Sequence, residues 1–322
     1  MNLKTGVAVQ QAMAYDRENS LWLRLQGCRG VNERRQAAGT ITAGKKDVYV
    51  MSDQNSSLTI TVLQIDVEIG NPDHNFAVVE EKLNQAVQTA DKPDVIVLPE
   101  MWNTGYALTE IDRLADREGE RTRQLIAPFC AKHQVHVVAG SVANRKDGQV
   151  SNTVFVFNRQ GEVIAEYDKI HLFRLMEEEK YLRQGEHLGR FELDGIPCAV
   201  VICYDIRFPE LARTLALDGA RLLFVPAQWP NPRKHHWRTL LQARAIENQM
   251  AVAACNRVGI SGKSSFFGHS MIINPWGEPL VEGGEEEALL TATVSLEEVA
   301  KVRSMIPVFE DRRPGLYTSP AR

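Results

Sequence analysis

Strand-like and helix-like segments alternate along the chain from Ser57 onward, and turn signals interrupt the alternation in the middle and near the end. Residues 146–148 (KDG) and 159–161 (RQG) separate three strand-like runs, and residues 275–277 (PWG) separate two more. Short connections of this kind join antiparallel strands, whereas parallel strands need long crossovers. A purely parallel doubly wound sheet would not show them. The pattern therefore predicts an α/β fold in which two mixed β-sheets pack face to face, with helices outside.

Apolar residues at helical spacing predict four helices. They comprise a helix with apolar positions from Phe76 to Ala90, a helix around Ile126, and helices over Pro209–Leu217 and residues 237–248. The strand-like runs between them read SLTITVLQIDV, DVIVLP, VHVVAGSV, SNTVFVFN, EVIAEYDK, RLLFVPAQW, MAVAACNRV and ALLTATVSL. No repeat or low-complexity linker divides this part of the chain, so residues 57–322 are predicted to form one domain.

Residues 1–56 differ in character from the rest of the chain. Basic residues outnumber acidic ones there, and apolar residues follow no sustained period. We expect this segment to be a flexible extension outside the core. Met51 is a candidate start for a shorter product.

The bulk composition excludes several functional classes. A net charge of −4 over 322 residues gives no electrostatic reason to bind nucleic acid or an anionic membrane. We find no apolar run of membrane-spanning length and no secretory signal. The five sparsely spaced cysteines are typical of reduced thiols in the cytoplasm, and none forms a CxxC pair that would suggest a structural zinc site.

Cys203 ends the apolar run AVVIC and precedes a helix-like stretch that opens at Phe208. A thiol between a buried strand and a helix N-terminus is well placed to be a nucleophile, because the helix end favours a thiolate and a developing oxyanion. Taken alone, a buried cysteine is more often inert, and that is our interpretation of Cys198 and Cys255.

Two further charged residues also follow strand-like runs. Glu100 ends DVIVLPE, and Lys169 lies in EYDKIHLF. Alone, Glu100 is equally compatible with a surface turn, and a residue such as Lys169 is more often a solvated turn residue. Beside Cys203, however, they would supply a general base and an ammonium that stabilises an oxyanion and lowers the thiol pKa. Base, oxyanion donor and nucleophile together indicate acyl transfer through a thioester, followed by hydrolysis.

The motifs around these residues resemble the three signatures of the nitrilase (carbon–nitrogen hydrolase) superfamily. They read VIVLPEMWNTGY, YDKIHLF and ICYDIRFPE, and the resemblance spans residues 58–317. It implies Glu100 as general base, Lys169 as oxyanion stabiliser and Cys203 as nucleophile, with the backbone N–H of Tyr204 as a second oxyanion donor. It also implies a four-layer α-β-β-α sandwich and a homodimer or higher homo-oligomer.

Members of this superfamily often use a further glutamate to position base and substrate. The run RLMEEEKYL offers Glu177, Glu178 and Glu179 for this role. The context of Glu178 resembles the amidase branch, although the choice among the three stays open, as does a solvated helix start.

The resemblance also indicates a substrate class. Tyr204-Asp205 replaces the Trp-Glu pair of nitrile hydrolases, and CYDIRFPE, AQWP, HHW and ARAIENQ look most like the ω-amidase or 2-oxoglutaramate amidase subgroup. The resemblance implies that the enzyme hydrolyses the terminal amide of a short 2-oxo acid amide and releases ammonia. A substrate that carries a carboxylate would need a cationic pocket, for which Arg207, Arg233 and Lys234 are candidates. A salt bridge from Arg207 to Asp205 or Glu210 is the simpler explanation of that arginine. Two aromatic residues, Trp229 and Tyr106, are candidates for lining the pocket.

The predicted partners are therefore a small amide and water, without a cofactor or metal. No phosphate-binding glycine loop or G-x-S-x-G elbow occurs, and the histidine pairs lack a third ligand at metal spacing. The segment GKSSFFGHS lacks the extended Gly/Ser-rich region of a Ser-Ser-Lys amidase. The alternatives left open are an amidase for an aliphatic or deaminated peptide amide, a nitrile hydrolase and a catalytically silent scaffold.

Overall fold

Two stacked β-sheets form the centre of the structure, a computed structural model that describes residues 57–317. The predicted extension, residues 1–56, lies outside the described residues. The first half of the described chain contains β1 Ser57–Gln64, α1 Pro72–Ala86, β2 Val95–Val97, α2 Ile111–Leu114, β3 Asp116–Arg117, α3 Glu120–His133, β4 His136–Val138, β5 Val142–Lys146, β6 Gln149–Phe157 and β7 Val163–Asp168. The second half contains β8 Gly189–Leu193, β9 Ile196–Val200, α4 Pro209–Leu217, β10 Leu222–Ala227, α5 Lys234–Asn248, β11 Ala251–Asn256, β12 Val258–Ser261, β13 Ser264–Phe267, β14 Met271–Ile273, β15 Pro279–Glu282, β16 Ala288–Ser295 and α6 Leu296–Met305.

Both large sheets are mixed, as predicted. The first sheet has the order β16-β1-β2-β4-β6-β5-β3, with β7 paired to β6. Its strands β1, β2 and β4 are parallel, and β16, β5, β6 and β7 form antiparallel pairings. The second sheet has the order β15-β14-β11-β10-β9-β8, in which β9, β10 and β11 are parallel.

The alternation of side chains along single strands produces four layers. On β6, Val154 and Val156 belong to the core between the two sheets, whereas Phe155 and Phe157 pack with the outer helices α1 and α3. Helices α4 and α5 bury their apolar faces on the other sheet, through residues such as Leu215. Because side chains alternate with period two, the central strands of the first sheet, such as β1, β2 and β6, serve both cores. The resulting α-β-β-α sandwich confirms the predicted fold class.

The predicted turns are confirmed, and several elements were missed, among them α2, β3 and β13. The KDG, RQG and PWG turns join antiparallel pairs, and α4 has its predicted bounds. The segment GKSSFFGHS contributes the small β12–β13 hairpin. Helix α6 and the β8–β9 hairpin were not predicted. The start of α6 had a local signal, because the Ser295 hydroxyl caps the N–H of Glu298 at 3.3 Å.

Within residues 57–317, no helix combines the length and apolar character that crossing a bilayer requires.

Candidate active site

Polar residues that follow strands of both sheets meet between the two sheets. Glu100 lies three residues beyond β2, and Lys169 directly follows β7, both in the first sheet. Cys203 lies three residues beyond β9, and Gln228 directly follows β10, both in the second sheet. Glu100 and Lys169 have no exposed side-chain surface. The packing of the two sheets therefore brings together residues that are far apart in the sequence.

The carboxylate of Glu100 is held from several directions. Its Oε1 accepts hydrogen bonds from Lys169 Nζ at 2.8 Å and Asn152 Nδ2 at 2.9 Å, and lies 2.7 Å from the Tyr106 hydroxyl. Its Oε2 accepts a 2.7 Å hydrogen bond from the backbone N–H of Gln228. A buried carboxylate with this many donors is stabilised in its ionised form.

Lys169 contacts a second carboxyl group, that of Glu178. The Lys169 Nζ lies 2.9 Å from Oε1 of Glu178, and the Tyr106 hydroxyl lies 2.8 Å from the same oxygen. The backbone N–H of Phe173 donates to Oε2 at 3.0 Å. Glu178 is fully buried, so its position distinguishes it from its two neighbours.

The other two members of the acidic run point into solvent. Glu177 and Glu179 are exposed, and Glu177 pairs with Lys180 at 2.5 Å. Glu177 has a left-handed backbone with φ of +58°, which turns the chain so that the next side chain enters the site. Of the three candidates left open by the sequence, the structure thus brings only Glu178 to Lys169.

Burial and the short distance between Glu100 and Lys169 set the pKa values of both groups. Burial alone would raise the pKa of Glu100, but the charge and hydrogen bond of Lys169 outweigh it, and the pKa lies below its ordinary value. Burial alone would lower the pKa of Lys169, but Glu100 and Glu178 raise it well above its ordinary value. The site therefore holds a carboxylate and an ammonium side by side.

Cys203 occupies a constrained turn rather than a helix N-terminus. It begins the 3-10 turn Cys203–Arg207, and α4 starts only at Pro209. Its φ of +45° lies in the left-handed region, which costs a residue with a side chain on the order of 1–3 kcal/mol. The helix-like stretch predicted to open at Phe208 is confirmed, and the 3-10 turn lies between Cys203 and this helix.

The predicted lowering of the thiol pKa is also wrong. Burial raises the pKa of Cys203 well above its ordinary value, and the negative charge of Glu100 adds to this effect. Lys169 lowers the pKa but offsets only part of the increase. The resting group is therefore a neutral thiol, which needs a base before it can attack.

Asp205 clamps the turn that carries Cys203. Its Oδ2 accepts hydrogen bonds from the Tyr167 hydroxyl at 2.7 Å and from the N–H of Ile202 at 2.9 Å. Its Oδ1 accepts the N–H of His171 at 3.0 Å and lies 2.8 Å from the His171 Nδ1. These contacts connect the Cys203 turn to the segment that follows Lys169 and help to hold the unfavourable φ.

Arg207 takes no part in this clamp, contrary to our simpler explanation. Its guanidinium lies 4.6 Å from the ring centroid of Trp229, and its NH2 lies 3.3 Å from His236 Nδ1. Among the residues that the structure describes, neither Asp205 nor Glu210 forms an ion pair with it. The carboxylate of Asp205 is instead occupied by Tyr167 and His171.

A pocket of about 280 Å³ leads to Cys203. The predicted pocket residues Tyr106, Tyr204, Arg207, Arg233 and Trp229 line it, together with Glu178, Gln228, Phe173, Met176 and Pro230. Lys234 does not line it, because its Nζ pairs with Glu285 at 2.8 Å. The suggestion that Lys234 adds charge to the pocket is therefore wrong.

Sequence reasoning missed three residues that bind the buried carboxyl groups. Asn152 was hidden in the apolar run of β6, where an isolated buried amide was the only signal. Gln228 lay within the AQWP motif but was given no role. Phe173 contributes through its backbone N–H, which leaves no trace in the sequence.

Within residues 57–317, no group of three or more His, Cys, Asp or Glu side chains is arranged to hold a metal ion.

Comparisons with known proteins agree with the geometry. A family model for carbon-nitrogen hydrolases matches residues 59–304. A 2-oxoglutaramate amidase of Bacillus subtilis strain 168 is 49% identical over 259 residues, covering 80% of this chain and 99% of the relative. The omega-amidase NIT2 of Homo sapiens is 34% identical, with 69% of this chain and 84% of that protein covered. The solved structure of XC1258 from Xanthomonas campestris, a CN-hydrolase superfamily protein, has a TM-score of 0.75 at 30% identity, with 83% and 99% of the chains covered.

Proposed function

The chain belongs to the carbon–nitrogen hydrolase family, and from that premise we propose that it hydrolyses the terminal carboxamide of a small 2-oxo acid amide of the 2-oxoglutaramate type, releasing ammonia. Family membership makes it a hydrolase of carbon–nitrogen bonds other than peptide bonds, as the sequence predicted. The relatives named 2-oxoglutaramate amidase and omega-amidase support the substrate class.

One observation carries the proposal. The thiol of Cys203 opens to the same pocket as the guanidinium groups of Arg207 and Arg233. Within the part of the chain that the structure describes, neither arginine pairs with a carboxylate side chain. Two arginines without a protein counter-ion suit the carboxylate of a substrate whose amide lies at the thiol.

Acylation begins with the neutral thiol. Glu100 takes the proton of Cys203 as the sulfur attacks the amide carbon, and a carbon–sulfur bond forms. The carbonyl π electrons move to oxygen, giving a tetrahedral oxyanion. Its collapse breaks the carbon–nitrogen bond, and protonated Glu100 gives its proton to the departing nitrogen. Ammonia leaves, and a thioester on Cys203 remains.

Deacylation repeats the chemistry with water. Glu100, again ionised, takes a proton from a water molecule that attacks the thioester carbon. The carbon–sulfur bond then breaks, and the proton returns to the Cys203 sulfur. The sum of both halves is amide plus water giving carboxylic acid and ammonia. The same carboxylate serves both halves because it gives up its proton at the end of each and is ionised again.

Lys169 stabilises the oxyanion in both halves. Its ammonium lies beside Glu100 in a site without bulk water, where a fixed charge acts strongly on a developing negative oxygen. The backbone N–H of Tyr204 is the second donor. Glu178 positions Lys169, and Gln228 and Asn152 orient Glu100 through their hydrogen bonds.

The other substrate contacts follow from the pocket lining. Arg207 and Arg233 bind the carboxylate, and Trp229 and Tyr106 form walls. The walls leave little free space in this pocket, so it suits a small acid amide.

The oligomeric state, the cellular location and the domain division belong to the same proposal. The protein acts as a homodimer in the cytoplasm, and residues 57–322 form the catalytic domain beside an extension, residues 1–56. Membership of the family supports the homodimer. Light scattering would give the oligomeric state, and a chain starting at Met51 should keep its activity.

Ammonia release tests the function directly. Wild type and Cys203→Ala would be assayed on 2-oxoglutaramate, glutamine, a simple aliphatic amide, a deaminated peptide amide and a nitrile. Fast, cysteine-dependent turnover of the oxo acid amide is expected. Turnover of another substrate alone would reject the substrate class but keep the chemistry, and no turnover of any would favour a silent scaffold.

A further inference from the structure

The hydroxyl of Tyr106 bridges two carboxyl groups. It lies 2.7 Å from Oε1 of Glu100 and 2.8 Å from Oε1 of Glu178, both within hydrogen-bond distance. A phenol has one proton and can donate it to only one of the two. If both acids were ionised, the other carboxylate oxygen would face the phenol oxygen with no proton between them. One of the acids must therefore carry a proton.

The charge of the buried cluster leads to the same conclusion. Glu100, Glu178 and Lys169 have fully buried side chains, and two carboxylates against one ammonium would leave a net charge of −1. An uncompensated buried charge is costly. Arg207 and Arg233 line the same pocket, but both are partly exposed and screened by solvent.

The surrounding donors decide which acid holds the proton. Glu100 accepts hydrogen bonds from the amide of Asn152 and the N–H of Gln228, in addition to Lys169. Apart from the Tyr106 hydroxyl that both acids share, Glu178 accepts, from the residues that the structure describes, the N–H of Phe173 in addition to Lys169. More donors stabilise the ionised form, so the negative charge belongs on Glu100.

We propose that Glu178 is the neutral acid in the resting protein, with its proton on Oε1. The Glu178 O–H donates to the Tyr106 oxygen, and the Tyr106 O–H donates to Glu100. Tyr106 is thus the residue that passes the protonation state of Glu178 on to the base. The directions of the pKa values agree, because burial and the charge of Glu100 raise the pKa of Glu178 more than Lys169 lowers it.

This assignment, which rests on the proposed function, keeps the site neutral through the reaction. In the resting protein, the negative charge of Glu100 and the positive charge of Lys169 cancel. In the tetrahedral intermediate Glu100 is protonated, and the oxyanion cancels Lys169 instead. An ionised Glu178 would add a negative charge beside the developing oxyanion, where it opposes catalysis.

Infrared spectroscopy of the resting protein reads the proton without any substrate. The wild type should show the C=O stretching band of a protonated carboxyl group, and Glu178→Gln should lose it. Glu177→Gln is the matched control, because that neighbouring carboxylate is exposed and pairs with Lys180. A wild type without the band, or a band that survives in Glu178→Gln, overturns the proposal whether or not the protein turns over an oxo acid amide.

Tyr106→Phe supplies a second variant in case Glu178→Gln does not fold. Loss of the hydrogen-bond acceptor should move the same band to higher frequency, and an unmoved band overturns the proposal.

The pH dependence of kcat/KM then assigns the proton to Glu178 rather than Glu100. If Glu178 is already neutral, Glu178→Gln leaves the buried charge unchanged, and the acidic limb, which reports Glu100, stays in place. If Glu178 is ionised, removing its charge lowers the pKa of Glu100 by about one unit or more. A shift of that size in the acidic limb overturns the assignment.

Discussion

Glu100 and Gln228 bind each other twice across the two sheets. The Gln228 N–H donates to Oε2 of Glu100 at 2.7 Å, and the Gln228 side-chain Nε2 donates to the Glu100 backbone oxygen at 2.7 Å. The orientation of the carboxylate in the first sheet is therefore set by a residue of the second, the sheet that also carries Cys203. Glu100 and Cys203, the proposed base and nucleophile, are therefore held in a fixed relation although they are 103 positions apart in the sequence.

Cys203→Ala should abolish turnover and leave the fold intact, because the change removes one sulfur atom and leaves the hydrogen bonds of Glu100 to Lys169, Asn152 and Gln228 in place. Steady-state ammonia release and circular dichroism would be measured together. Cys255→Ala is the matched control, since that thiol is buried in β11 away from the pocket. Substantial residual activity in Cys203→Ala would remove the thioester from the mechanism.

Lys169→Ala should lower kcat by about 10²–10³-fold, the usual effect of one lost oxyanion donor. The same change leaves Glu100 buried without its counter-charge, which destabilises the fold by about 3–5 kcal/mol. Denaturant unfolding would therefore accompany the kinetics. Lys180→Ala, which removes an exposed lysine of the neighbouring loop, is expected to change neither quantity. A folded Lys169→Ala variant with normal kcat would contradict the role.

Arg207→Gln should raise KM for the oxo acid amide by roughly 10–100-fold, since a charge-assisted hydrogen bond contributes about 1.5–3 kcal/mol. The KM for a neutral aliphatic amide should stay unchanged. Arg238→Gln is the control, because that arginine pairs with Glu282 at 2.7 Å outside the pocket. Equal losses for both substrates would indicate a packing role over Trp229 rather than recognition of a carboxylate.

Alkylation of Cys203 by iodoacetamide should be slow at neutral pH and should accelerate as the pH rises. Burial and Glu100 raise the pKa of the thiol well above its ordinary value, and only the thiolate reacts. The reactive fraction therefore grows across the whole range up to pH 9 and beyond. A rate that reaches a plateau near neutral pH would mean that the charge of Lys169 outweighs burial and lowers the pKa of the thiol.

The same site shows what the sequence could and could not predict. Glu100, Lys169 and Cys203 were recognisable because each follows a strand-like run and stands in a family motif. The state of the thiol was not, because it depends on how completely two sheets exclude water. Which of the three glutamates enters the site depends on the left-handed backbone of Glu177, and no sequence pattern around that residue predicts its positive φ.

The fold divides in a similar way. Hairpin turns and helix α4 have local signals, so they were predicted with their positions. The β8–β9 hairpin also had a local signal, which the sequence analysis overlooked: Asp194 and Gly195, both with positive φ, follow the alternating run GRFEL. The pairing of Arg207 with Asp205 was predicted wrongly, because Tyr167 and His171 already occupy that carboxylate and the sequence does not show this.

The narrowness of the pocket has a consequence beyond substrate choice. A thiol able to open carboxamides is a hazard in a cell, where the asparagine and glutamine side chains of other proteins carry the same group. Cys203 is only 7% exposed, at the end of a pocket of about 280 Å³. A carboxamide on a folded surface would have to bring its own backbone and neighbours up to this pocket, so the pocket favours free small amides over the side chains of folded proteins.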